Sequence, residues 1–232
     1  MVRAVIFDFY GTLARWADGS ASYGSVFAAH GYSLDPAVLD GYFSRYNGIE
    51  HGEHSVSEEA YEVWVRSRLR QLTRDGGVDE GDAEAIVDAL RQLDQCPMVA
   101  YPEAAATLGA LRDAGLMLGV CSNWGWELNA YLDQVGLLAL VDSSVTSARA
   151  GARKPHPDIY RTSVELLGVS TDDVVFVGDS WEPDVRGPRR LGMSGVHVWR
   201  EEERQGFDAP ELEDGDRRIG DLSEVLEIVG LS

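Results

Sequence analysis

Short β-branched runs alternate with amphipathic stretches along most of this 232-residue chain. Such alternation specifies a parallel sheet covered on both faces by helices. The predicted strands span residues 3–9, 116–121, 140–145, 174–177 and 195–199. Between them, 103–114, 126–135, 157–167 and 183–191 read as helices. Gly115, Gly136, Gly168 and Gly192 fall where each of these needs a C-terminal glycine. The expected fold class is α/β, a Rossmann-like doubly wound parallel sheet.

One interval departs from this pattern. From about residue 15 to 95 the chain reads as helical and shows no strand. Asp35-Pro36 supplies an N-cap and a first-turn proline, ahead of an apolar stripe of Val38, Leu39, Tyr42, Phe43 and Tyr46 that ends at Gly48. Ser55 with Glu58 fits a capping box ahead of Ala60, Val63, Trp64 and Leu72. Asp82 is the expected cap of a third helix carrying Ile86, Ala89, Leu90 and Leu93. Residues 95–102, with two prolines, read as the return linker. The expected domains are therefore a core of 1–14 and 97–232 and an inserted helical unit of 15–96.

In an open parallel sheet, ligands bind beyond the carboxyl ends of the strands. Four such ends carry residues that packing does not explain. The first gives Asp8, Tyr10, Gly11 and Thr12; the second gives Ser122 and Asn123. The third gives Arg153, Lys154, Pro155 and His156, and the last gives Gly178, Asp179, Ser180 and Asp184. A strand-end carboxylate such as Asp8 is a candidate nucleophile. Gly11 lets the backbone turn tightly beneath a ligand. Ser122 and Asn123 suit donation to a phosphoryl group at a helix start, or plain helix capping, or both. Lys154 is the single lysine among 20 basic residues, a compact point charge suited to neutralising a nucleophile and a phosphoryl oxygen. Three converging carboxylates, Asp8, Asp179 and Asp184, need a cation to stay ionised together. A hard dication such as Mg²⁺ answers that need.

In this order, DFYGT, SN, KP and GDSWEPD resemble the motifs of the haloacid dehalogenase superfamily, and the helical unit sits where that superfamily carries a cap domain. The resemblance implies a hydrolase with Asp8 as nucleophile and Lys154 as its catalytic partner. Phosphoryl contacts would come from Gly11, Thr12, Ser122 and Asn123. It also implies Mg²⁺ held by Asp8, the Tyr10 backbone carbonyl, Asp179 and Asp184. Glu182 reads as a bystander. Arg15, Trp16, Trp124 and Trp126 flank the motifs, either lining a substrate pocket or simply packing. The segment EHGEH, residues 50–54, lacks regular ligand spacing and reads as a solvated loop.

Tyr10 stands where family phosphatases carry an aspartate that protonates the leaving group. A phenol with pKa near 10 is a poor base at neutral pH. The resemblance then allows a Mg²⁺-dependent phosphatase preferring leaving groups that need little protonation, such as acyl or anomeric phosphates. It also allows a 2-haloacid dehalogenase, whose DxYGT motif has this tyrosine and which needs no metal; Asp179 would place an uncompensated charge beside its carboxylate substrate. A phosphonatase would need a lysine in the cap, which has none. A catalytically silent binding module is the remaining reading. The phosphatase, acting on a small phosphorylated metabolite, accounts for most of the motifs.

The formal charge of −19 argues against a nucleic-acid partner. Two cysteines in apolar settings, no apolar run of membrane-spanning length and a strand pattern starting at Val2 fit a cytoplasmic protein with no membrane partner. Both a monomer and a homodimer are compatible with this pattern.

Overall fold

The computed structural model of the chain describes residues 1–93, 96–204, 208–213 and 215–231. The run Ala-Val-Ile-Phe forms β1 (Ala4–Phe7), every residue of which is buried, as a strand covered on both faces requires. The chain turns into β2 (Ala14–Trp16), then runs through α1 (Tyr23–Ala29), α2 (Pro36–Ser44), α3 (Glu58–Asp75) and α4 (Glu80–Gln92) before β3 (Met98–Ala100). The order continues with α5 (Ala104–Asp113), β4 (Met117–Ser122), α6 (Leu128–Gln134), β5 (Ser143–Thr146), α7 (Ser147–Ala150) and α8 (Pro157–Leu167). It closes with β6 (Val174–Gly178), α9 (Gly187–Arg189), β7 (Ser194–Val198), β8 (Arg217–Ile219) and α10 (Val225–Ile228).

Among the described residues, six strands form one sheet in the order β5-β4-β1-β6-β7-β8, with every pair parallel. Phe7 pairs with Val120 on one side and with Val177 on the other, so three strands end level. Asp8, Ser122 and Asp179 consequently share one rim, beside the point where strand order reverses. Alternation along each strand feeds two cores. Val5, Phe7, Leu118 and Val120 pack on one face; Ala4, Ile6, Val174 and Phe176 pack on the other. The helices α1 to α4 bury a third cluster of their own around Phe27, Tyr42, Leu72, Ile86 and Leu90. Truncating a fully buried member such as Leu72 to alanine is expected to cost about 2–5 kcal/mol.

The four predicted helix-ending glycines all adopt left-handed conformations, with φ between 65° and 93°. Several other ends move. Ser57, not Ser55, caps α3 by accepting from the Ala60 amide. Asp79, not Asp82, precedes α4; the Asp82 carboxylate instead accepts from the Tyr32 hydroxyl at 2.6 Å. α1 has no counterpart in the sequence reading, because seven residues with only Val26 and Phe27 buried show no period. The same holds for β2 and β3, an antiparallel pair of three residues each in which Trp16 faces Met98. The helical interval thus opens inside a strand and the return linker contains one; residue 95 of that linker lies outside the described residues. β8, also three residues, adds a sixth strand. The helix expected over 183–191 is a π-helical turn, Trp181–Arg186, running into the short α9.

Candidate active site

Asp8 leaves β1 at the level of the rim, its amide held by the Val177 carbonyl at 2.9 Å. The Lys154 ammonium reaches it from the segment before α8 and is only 2% exposed. Lys154 Nζ donates to Asp8 Oδ1 at 2.8 Å, to Asp184 Oδ1 at 2.6 Å and to the Cys121 carbonyl at 2.9 Å. All three protons of the ammonium therefore have acceptors. Burial alone would lower the lysine's pKa, but Asp184 and Asp8 outweigh it and hold the pKa above its ordinary value.

Gly11 has φ +79°, and a Cβ there would lie 2.7 Å from the Asp179 carboxyl. Only glycine fits this turn while Asp179 stays in place. Thr12 is wholly buried, and its hydroxyl has no hydrogen-bond partner among the described residues. The turn is clamped by Arg200, which sequence reasoning missed. Its guanidinium donates to the Gly11 carbonyl at 2.9 Å and the Thr12 carbonyl at 3.2 Å, pairs with Glu103 at 2.8 Å, and lies 3.5 Å from the centre of the Tyr101 ring. No motif announces such a residue, since it acts through backbone atoms 188 and 189 positions away.

Ser122 closes β4 and is buried. Asn123 does not turn both its polar groups to the rim. Its Oδ1 accepts from the Lys154 amide at 2.7 Å and its Nδ2 donates to the Lys154 carbonyl at 3.0 Å. That two-point grip positions the lysine. Neither residue starts a helix, because α6 begins only at Leu128.

Asp179 and Asp184 converge on Asp8 as expected: one oxygen of each lies within 4.8 Å of the others. Asp184 comes so close to the strand end that a Cβ on Gly178 would collide with its carboxyl. Ser180 N donates to Asp184 Oδ2 at 2.9 Å. Burial pushes the pKa values of both Asp179 and Asp184 upward, and the neighbouring carboxylates add to the effect. Asp179 has a counter-ion that the sequence did not reveal: Arg204 Nη2 bonds Asp179 Oδ2 at 2.5 Å. With all three ionised, the carboxylates face two cations, Lys154 and Arg204, and the pocket is one positive charge short. Hard oxygen donors with excess negative charge fit Mg²⁺. Glu182 pairs with Arg190 at 2.6 Å, away from this cluster, which agrees with its reading as a bystander.

Tyr10 is 43% exposed. Its ring lies 5.9 Å from Trp16 and 6.5 Å from Trp124, and the two indoles are themselves 5.9 Å apart. Tyr10, Arg15 and Trp16 line a cleft of about 510 Å³ together with Tyr101, Asp179 and Arg204. Burial, then the Asp179 charge, raises the Tyr10 phenol above its ordinary value, so still less phenolate is present at neutral pH to act as a base. Arg15 spends its guanidinium on Asp18 at 2.6 Å. Trp126 stands apart from this trio, 6.3 Å from Tyr61 of α3.

The segment at 50–54 is the expected solvated loop only in part: Glu50, Gly52 and Glu53 are exposed, but the two histidines are packed. His51 is buried and stacks on Trp64 at 4.6 Å, while His54 stacks on the same indole at 5.4 Å. Glu50 comes together with His156 and Asp158 into a second group of possible ligands. His156 is already used as the cap of α8, accepting from the Asp158 amide at 3.3 Å.

The family model for haloacid dehalogenase-like hydrolases matches residues 2–192. Among curated relatives, haloacid dehalogenase-like hydrolase domain-containing protein 3 of Homo sapiens is 28% identical over 210 residues, covering 85% of this chain and 82% of that protein. Phosphoserine phosphatase of Thermus thermophilus is 32% identical over 175 residues, 72% of this chain and 68% of the relative. A crystal structure described as that of a dehalogenase superposes with a TM-score of 0.66 at 25% identity, over 98% of this chain and 96% of its own. With a strand-end aspartate, a buried lysine and two further aspartates meeting on one rim of a parallel sheet, and a family match across most of the sequence, the chain belongs to the haloacid dehalogenase-like hydrolases.

Proposed function

We propose that this hydrolase is a Mg²⁺-dependent phosphatase that acts on a small phosphorylated metabolite through an aspartyl-phosphate intermediate. The observation that carries the reading is the convergence of Asp8, Asp179 and Asp184 around Lys154, with negative charge in excess. Lys154 holds Asp8 Oδ1, which leaves Oδ2 to attack phosphorus. The bond from phosphorus to the leaving oxygen breaks as the bond to Asp8 forms, and water later cleaves the acyl phosphate. The ammonium offsets charge on the nucleophile and the transferring group throughout. Ser122 stands to donate to a phosphoryl oxygen, while Asn123 acts by fixing Lys154. Mg²⁺ held by Asp8, Asp179, Asp184 and the Tyr10 carbonyl would supply the missing positive charge. The helices α1 to α4 serve as the cap over this rim. With Tyr10 in the proton-transfer position, leaving groups that depart without a proton are favoured. The phosphoserine phosphatase relative supports the reading.

A specific observation favours a second reading, a 2-haloacid dehalogenase. Asp179 counts against it only as an uncompensated charge, and Arg204 compensates it. Asp8 attacking carbon would release halide with no proton and no metal. The deciding experiment compares phosphate release from acyl and sugar phosphates with halide release from 2-chloropropionate, each with and without a chelator. Phosphate release that is lost with chelator and in Asp8→Asn is expected. Chelator-insensitive halide release would overturn the phosphatase reading, and no turnover in either assay would leave a silent binding module.

A further inference from the structure

Two arginines are buried where the helical insert meets the rim, and neither has a carboxylate partner among the described residues. Arg68, on α3, is 6% exposed, and Arg153, next to Lys154, is 9% exposed. The Nε of each is buried and has no hydrogen-bond partner. Arg153 Nη1 donates to Ser147 Oγ at 3.2 Å. The Arg68 guanidinium lies over the rings of Tyr42, Tyr46 and Trp64, at 5.0, 3.8 and 4.7 Å from their centres. A chain with 39 acidic and 20 basic residues does not lack acids to pair with them. Burial pulls the Arg153 guanidinium below its ordinary value, and the nearby charge of Arg68 adds to that pull.

A buried guanidinium left without an anion is costly. Aromatic faces offset part of this for Arg68; Arg153 has one hydroxyl. The surroundings join this spot to the catalytic rim. Residues 48–51 of the insert are stitched along residues 151–154: Gly48 N donates to the Lys154 carbonyl at 3.3 Å, His51 N to the Gly151 carbonyl at 2.6 Å, and Arg153 N to the Ile49 carbonyl at 3.0 Å. Ser147 in turn donates to the Trp124 carbonyl at 3.2 Å, in the loop that follows Ser122 and Asn123. Tyr61 of the insert and Trp126 of that loop approach each other across the same junction.

Building on the phosphatase reading, we propose that Arg68 and Arg153 form an anion subsite for the substrate's second charged group, a carboxylate or a second phosphate, while its phosphoryl group lies at Asp8. Guanidinium forks match the oxygens of both groups. A substrate with a neutral tail leaves the arginines unpaired, so the subsite selects against it. The preferred substrates are small metabolites with an anion at each end.

The test is a ratio of kcat/KM values. The phosphate esters of glycolate and of ethanol form a carboxylate pair; propane-1,3-diol bisphosphate and propyl phosphate form a phosphate pair. The wild type is expected to prefer the charged member of at least one pair. Arg68→Met and Arg153→Met should each cut that preference about ten-fold or more, chiefly through KM of the charged ester. The pair that responds identifies the anion. Equal losses on charged and neutral esters would mean that the arginines only hold the fold, and the proposal fails; absence of any preference in the wild type also overturns it. Should these esters not be turned over, binding decides the subsite separately, and the phosphatase reading fails only if acyl and sugar phosphates are left intact as well. Without metal, malonate or sulfate should raise the melting temperature of the wild type and bind about ten-fold more weakly to Arg153→Met and Arg68→Met. No binding to the wild type, or binding to both variants as tight as to the wild type, removes the subsite.

Discussion

Arg153 and Lys154 are neighbours in the chain, both nearly buried, and the two sides of the molecule that they serve treat them in opposite ways. Lys154 has three acceptors between 2.6 and 2.9 Å and a backbone gripped by Asn123. Arg153 has one serine hydroxyl and a bare Nε. On the core side, positive charge is matched by groups of the chain itself, the arrangement needed to hold a nucleophile ready. On the insert side, positive charge is left open, the arrangement needed to receive something from outside. Burial alone therefore says little about a cation; its partners say whether it belongs to the machinery or to recognition.

The core side is tested hardest at Asp8. Asp8→Asn keeps the shape but removes the attacking oxygen's charge, and turnover should fall on the order of 10⁴-fold or more with the circular dichroism unchanged. Retained turnover would mean that the closed charge network is not where bonds break. Lys154→Met comes next. It leaves Asp8 and Asp184 buried and facing each other without their cation, a loss of about 3–5 kcal/mol in urea unfolding. Arg153→Met takes away a charge with no carboxylate partner and should change stability by less than about 1 kcal/mol. If the two variants lose equal stability, the contrast between the neighbours is wrong.

The same division governs what the sequence reveals. The alternation of strands and helices and the four glycine-ended helices were legible because they repeat, Asp8 and Asp179 because each follows a strand end, and Lys154 and Asp184 because they stand in motifs, the first as the single lysine of the chain. Arg200, Arg204 and Arg68 were not. They act through a turn's carbonyls, a carboxylate 25 positions away and aromatic faces on α2, α3 and the turn after α2. None of these relations leaves a period or a spacing. Asn123 was legible as a polar residue in the right place but not in its task, since only coordinates show both of its amide atoms on Lys154. Short elements were lost for a simpler reason: β2, β3 and β8 have three residues each, too few to alternate.

Tyr10 sits between the two sides and offers a finer probe. It opens the cleft, stacks near Trp16 and Trp124, and stands beside Asp179. Replacing it with the carboxylate that family phosphatases use should restore leaving-group protonation. Tyr10→Asp is expected to raise alkyl-phosphate turnover about 10²-fold, while acyl-phosphate turnover gains little because that leaving group needs no proton. Equal rates for alkyl and acyl phosphates in the wild type, with no gain in the variant, would show that proton transfer comes from elsewhere in the cleft.

The last expected effect concerns how far Arg204 closes the charge balance at Asp179. Burial, then Asp8, pushes the Asp179 carboxyl up to about 6 from 3.8, against the pull of Arg204. A carboxyl whose pKa is higher folded than unfolded holds its proton more tightly in the fold. Its contribution to stability is full below the unfolded value and is lost as pH rises through the folded one. Metal-free wild type should therefore lose stability between about pH 4 and pH 7 relative to Asp179→Asn, by on the order of 2 kcal/mol. Other titrating groups are common to both proteins and largely cancel. In the variant the new side-chain amide oxygen still accepts from Arg204, so the ion pair becomes a hydrogen bond and the neutral side chain no longer meets Asp8 as a like charge. Mg²⁺ at pH 7 should then stabilise the wild type more than the variant, since it restores the missing positive charge only where Asp179 is ionised. Parallel pH curves for the two proteins, measured by urea unfolding at pH 4.5 and 7.5, would mean that Arg204 already neutralises Asp179 in full and that the pocket is not short of charge.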